Sequence, residues 1–151
     1  MRVYLVIIDE TEEARTALRF ASRRARKTGG AVHILALVPR QDFVAWGGVQ
    51  ATIEEEARNR AEALVASAAG TLFEESGKRP VISVKTGDAV KIVRTYLAET
   101  PDIAMLVLGA AATGVPGPLV THFAGQEAGS LPCPVAIIPG GLSNDEIDRL
   151  S

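Results

Sequence analysis

The chain has 151 residues, the length of one ordinary domain, and is 47% hydrophobic and 23% charged; that mix is globular and excludes wholesale disorder. Lys and Arg number 16 against 18 Asp and Glu, a formal net charge of −2, so the basic excess of a nucleic-acid binder is missing. The single cysteine, Cys133, excludes an internal disulfide and suits a reducing compartment. The apolar run at the amino terminus is too short for a signal peptide and meets acids at once. No stretch approaches the ~18 apolar residues of a membrane span. These features predict a cytoplasmic protein with neither nucleic-acid nor membrane partners.

Val3 to Ile8 is an unbroken apolar, β-branched run, the mark of a strand buried on both faces. Asp9, Glu10 and Thr11 end it and open a helix, with Thr11 or Asp9 available as N-cap. Ala14, Ala17, Leu18, Ala21 and Ala25 form one apolar stripe, and Gly29-Gly30 stops the helix. Ala31 to Val38 reads as a second buried strand closed by Pro39. Arg40 to Ala51, with Trp46-Gly47-Gly48, lacks periodicity and reads as a loop. Thr52 with Glu55 has the capping-box pattern for a long helix. Its apolar face is Ile53, Ala57, Leu64, Val65, Ala68 and Leu72; Glu54–Arg58 and Glu56–Arg60 are i,i+4 pairs on the other.

Gly77 ends this helix, and Pro80 to Val84 is a more polar strand, placed at a sheet edge. Gly87-Asp88 turns into a helix with Ala89, Ile92, Val93, Tyr96 and Leu97 inward, followed by a fourth strand, Ile103 to Leu108. Gly109 to Pro118 is a Gly/Ala/Pro-rich loop leading to a weaker helix that runs to about Leu131. Pro134 to Ile138 is the fifth strand, and Ser143 with Glu146 caps a tail helix through Leu150. The order predicts one α/β domain over residues 1–141 with a short helical tail over 142–151. Strands separated by helices pair in parallel through right-handed crossovers. Ligands of such open sheets bind beyond the carboxyl ends of the strands, where the winding reverses. That points to Asp9, Val38 and the loop after Leu108.

Four segments in this order resemble the universal stress protein family over nearly the whole chain: VIIDETEEARTAL from Val6, Thr86-Gly87-Asp88, Pro101 to Gly109 (PDIAMLVLG), and Leu131 to Ile138 (LPCPVAII). The resemblance implies a Rossmann-like, five-stranded parallel sheet of order 3-2-1-4-5 with helices on both faces. It implies that nucleotide-binding members place adenine and ribose beside the residues matching Asp9 and Val38. Their phosphates rest on a loop of pattern G-x2-G-x9-G-[ST], where glycines admit the backbone and helix-start N–H groups favour an anion. This sequence keeps Gly109 but has Ala112 at the second glycine. Counting on from Ala112 reaches His122, counting back from Cys133 reaches Thr121, and a three-residue insertion brings Gly125-Gln126 into place. None supplies the Gly-Ser or Gly-Thr pair, and Pro116 and Pro118 remove two N–H donors. Gly114 and Gly117 are the available compensation in a rearranged loop. The phosphate grip is degraded.

The candidate nucleotide-binding residues are therefore Asp9, Val38, Gly109, Gly114, Thr121, His122 and Gly125. Asp9 can bind a ribose hydroxyl, cap the first helix, or do both. Gly109 either admits a phosphate or only lets the chain leave its strand. His33, in mid-strand, reads as structural, and Cys133 between two prolines as a packed, redox-silent thiol. No metal site is expected. The basic cluster Arg23, Arg24, Arg26 and Lys27 reads as a solvated face complementing the helix dipole. Trp46 is a lid over the crevice, a contact with a partner subunit, or an ordinary packing residue.

The leading reading is a non-catalytic stress-response regulator or adaptor with partner proteins that the sequence does not name. The resemblance implies a homodimer in which the last strand, with Val135, Ala136, Ile137 and Ile138, pairs antiparallel with its copy, as an apolar edge strand needs. The alternative is a nucleotide switch holding ATP, ADP or AMP between Asp9, Val38 and residues 109–125. A small hydrolase ranks last, because no nucleophile–base set is visible.

Overall fold

The computed structural model describes residues 1–40 and 47–151, with the side chains of 47–51 left aside; Trp46 lies outside the described residues. Five strands alternate with helices: β1 (Val3–Ile8), α1 (Glu12–Thr28), β2 (Ala31–Val38), α2 (Gly47–Ser76), β3 (Val81–Thr86), α3 (Ala89–Glu99), β4 (Ile103–Ala110), α4 (Pro118–Phe123), a 3₁₀ turn (Ala128–Ser130), β5 (Val135–Pro139) and α5 (Asn144–Leu150). The sheet is parallel throughout, in the order β3-β2-β1-β4-β5. This is the order that the resemblance implies.

All six residues of β1 are buried, because alternate side chains face two separate cores. Tyr4, Val6 and Ile8 pack under α1 and α2, with Ala17, Ala21, Val65 and Leu72. Val3, Leu5 and Ile7 pack under α3 and α4, with Val93, Leu97 and Phe123. The alanine stripe of α1 lets the helix lie close to the sheet. Thr11 is its N-cap, accepting from the Ala14 N–H at 3.3 Å, and Gly29 closes it at φ +67°.

Several expectations need correction. The long helix begins at Gly47, so Thr52 sits inside it rather than at its start. Glycine costs only about 1 kcal/mol in a helix, little beside the cooperative bonding of 30 residues. On its outer face Arg58 pairs with Glu62 at 3.3 Å, and the Arg60 ion pair is with Glu10 rather than Glu56. Second, Gly109 and Ala110 belong to β4, not to a loop, because β5 extends the ladder through Gly109 with Ile138 and Ala110 with Pro139. Third, α4 stops at Phe123 and only the 3₁₀ turn continues toward Leu131, since glycines at 125 and 129 interrupt the helix.

The basic cluster is a solvated face only in part: Arg26 and Lys27 are exposed in the last turn of α1, while Arg23 and Arg24 are half-buried. Arg19 grips the Asp148 carboxylate with both Nε (2.8 Å) and Nη2 (2.7 Å), and Arg23 reaches the same group at 3.3 Å. Arg24 donates to the Ser151 carbonyl at 3.3 Å and Lys27 to the Asp148 carbonyl at 2.8 Å. These bonds seat α5 on α1 over a fully buried Ile147. The Ser143–Glu146 capping box that starts α5 is formed as expected. Among the described residues no helix is long and apolar enough to cross a membrane.

Candidate functional site

The winding reverses between β1 and β4: α1 leaves on one face of the sheet, α4 on the other. A crevice of about 460 Å³ opens above their carboxyl ends. Ile8, Val38 and Leu108 form its floor, Ala57, Ala61 and Leu64 of α2 one wall, and Pro116 to Val120 the opposite wall. Asp9, Val38 and Gly109 all border this space; Gly114, Thr121, His122 and Gly125 do not.

Asp9 opens the β1–α1 turn. Its Oδ1 accepts from the Thr11 N–H at 2.9 Å and from the Thr11 hydroxyl. Thr11, not Asp9, caps α1. Asp9 is exposed at the rim, and Oδ2 accepts no hydrogen bond from the described residues. Val38 is buried, and its carbonyl already accepts from the Gly87 N–H at 3.1 Å.

Gly109 is required for a reason that spacing does not reveal. A Cβ built there would lie 2.1 Å from the Glu13 carbonyl oxygen, so the first turn of α1 can rest on β4 only because the side chain is absent. Glu13 thereby covers part of the ground above Gly109. The following loop is closed on itself by a 3.2 Å bond from the Ala111 N–H to the Pro116 carbonyl.

His122 turns away. Its ring stands edge-on to Phe123, and Nε2 lies 3.2 Å from a Glu127 oxygen that Arg94 also holds, Nε at 2.7 Å. The Arg94 guanidinium keeps the Glu127 carboxyl below the usual carboxylate range. Thr121 is exposed, its N–H bonded to the Gly117 carbonyl at 3.0 Å. Gly114 and Gly125 are exposed on the loop and beyond α4. His33 bonds through Nδ1 to the Tyr96 hydroxyl at 3.0 Å, tying β2 to α3, and burial pushes its pKa below the ordinary 6.5. Cys133 is half-buried, and burial raises its thiol pKa. Both are structural placements. Among the described residues no three His, Cys, Asp or Glu side chains gather to hold a metal.

Sequence reasoning missed Glu10, Glu13 and Arg60 as crevice residues. Arg60 was readable, since it stands beside Ala57, Ala61 and Leu64 at helical spacing; its pairing with Glu10 brings the α2 rim to the β1 end. Glu13 gives no such sign, because its role depends on how closely α1 approaches β4.

The universal stress protein family model matches residues 1–139. The chain belongs to that family. This universal stress protein shares its fold with one from Lactobacillus plantarum, at 18% identity and TM-score 0.77, covering 91% of this chain and 97% of that one. It is also similar to an Arabidopsis thaliana member with AMP bound (15% identity, TM-score 0.61, 92% of each chain). A universal stress protein in complex with cAMP gives 13% identity and TM-score 0.58, over 91% of this chain and 96% of that one. No curated protein matches it. The α5 helix of this stress protein, Asn144–Leu150, lies beyond the matched residues.

Proposed function

We propose that this chain is a non-catalytic stress-response regulator, homodimeric and cytoplasmic, that reads the adenosine part of a nucleotide in the crevice. The observation that carries this reading is the convergence of Asp9, Val38 and Gly109, from three strand ends, on one space of about 460 Å³, a volume typical of small-molecule sites. Asp9 presents a carboxylate to a sugar hydroxyl, and the apolar floor and α2 wall offer a slot for a flat base. Solved relatives bound to AMP and cAMP support the choice of ligand. Among the described lining residues there is no Ser, Cys, His or Lys, which supports a binding role over hydrolysis.

Titration calorimetry with AMP and cAMP tests the reading. Binding that disappears in Ala61→Trp, which fills the slot, is expected. Absence of heat at about 1 mM ligand, a limit near −4 kcal/mol, from a folded protein overturns it.

The homodimer reading rests on β5. Among the described strands it is an edge strand paired only with β4, and Ile137 is 38% exposed on it while Ile138 is buried. Val135 and Ala136 are half-buried against the two cores. We propose that a second copy pairs along this edge. Ile137→Lys should give a monomer by light scattering with an unchanged far-UV spectrum; a persistent dimer excludes this edge.

A further inference from the structure

We infer that the crevice selects a nucleoside-type ligand of low negative charge and rejects a polyphosphate chain. This inference rests on the adenosine-binding reading above and concerns only the groups attached beyond the sugar. Four charged residues line the space among the described residues: Asp9, Glu10, Glu13 and Arg60. Three are carboxylates, and the one guanidinium, exposed at the rim, stands beside Glu10 with its Nε at 3.6 Å. A phosphate chain leaving the sugar toward β4 meets Glu13 on the ground above Gly109, where the helix backbone has closed over the strand.

Neutral donors are also reduced on that side, where the N–H groups of Gly117, Leu119 and Val120 at the start of α4 are what is left. Pro116 and Pro118 border the crevice and have no N–H. The Ala111 N–H is directed at the Pro116 carbonyl within the loop. An oxyanion placed there would lose its water, would gain bonds only from the short first turn of α4, and would face like charge from three carboxylates. A neutral nucleoside suffers neither loss. Its base contacts the apolar floor, and its hydroxyls suit the exposed Asp9 carboxylate.

Calorimetry on the full chain without magnesium, using adenosine, cAMP and ATP, tests this. Adenosine and cAMP should bind at least about tenfold tighter than ATP, a gap that one unscreened like-charge contact near a protein surface readily produces. Raising ionic strength from about 0.01 to about 0.15 M shortens the Debye length from about 30 to about 8 Å and should narrow the gap. Glu13→Gln should shrink the adenosine-to-ATP ratio by at least about threefold, through loss of that one charge. ATP binding as tightly as adenosine, or a ratio unmoved in the variant, overturns the inference and leaves adenosine binding in place. If none of the three ligands binds, the adenosine reading itself falls.

Discussion

The two flanks of the crevice are built from the same kind of strand end and have become unlike. Where β1 and β2 finish, Asp9 stands at the rim with one oxygen that accepts no bond from the described residues, and Val38 lies in an apolar floor. Where β4 finishes, Gly109 is covered by the first turn of α1, and the next loop is closed by its own hydrogen bond. A glycine that a motif would assign to a ligand is here needed by a helix. The same residue type at the same position can thus serve packing first, and only the neighbouring backbone tells which.

Gly109→Val breaks the comparison most directly. If the glycine serves packing, the added side chain strikes backbone that cannot yield, and stability should fall by about 3 kcal/mol or more in denaturant melts. A fully stable variant would return Gly109 to the ligand side. Ile147→Ala comes next, at about 2–5 kcal/mol for a fully buried residue. It tests whether α5 holds α1 against β4; a loss confined to α5, with amide exchange of β4 unchanged, would uncouple the two.

Asp9→Ala should leave the fold standing and weaken adenosine binding about tenfold, the cost of one bond to a charged acceptor. Equal affinity would remove Asp9 from the open flank. The smallest effect concerns His33 beneath that flank. Its folded pKa lies below 6.5, so the unfolded chain binds more protons between the two values and stability declines as pH falls through 6.5. His33→Asn should flatten that slope in melts at several pH values.

The sheet is legible in the sequence because continuous β-branched runs such as Val3–Ile8 are hard to place anywhere but between two covered faces. The crevice is legible from topology alone, through Asp9 at its rim and Val38 in its floor. Gly47-Gly48 misleads, since glycine weakens a helix locally while its length is set cooperatively. The cluster at Arg23, Arg24 and Lys27 looks wet in sequence because its partners lie more than a hundred residues away, in a tail whose docking depends on the burial of Ile147. Gly109 is ambiguous in sequence for a similar reason: Glu13 is distant in the chain and near only after folding.

The burial of β1 on both faces, with a strand hydrogen-bonded on either side, has a consequence in time. Amide hydrogens exchange where the structure opens most cheaply, and here that is β3, whose outer margin no described strand covers, whereas β5 is held by the second copy in the proposed dimer. The central strand should open last, with the whole domain. The rim holding Asp9 is attached to that slowest strand, so the crevice keeps its shape while β3 loosens and re-forms.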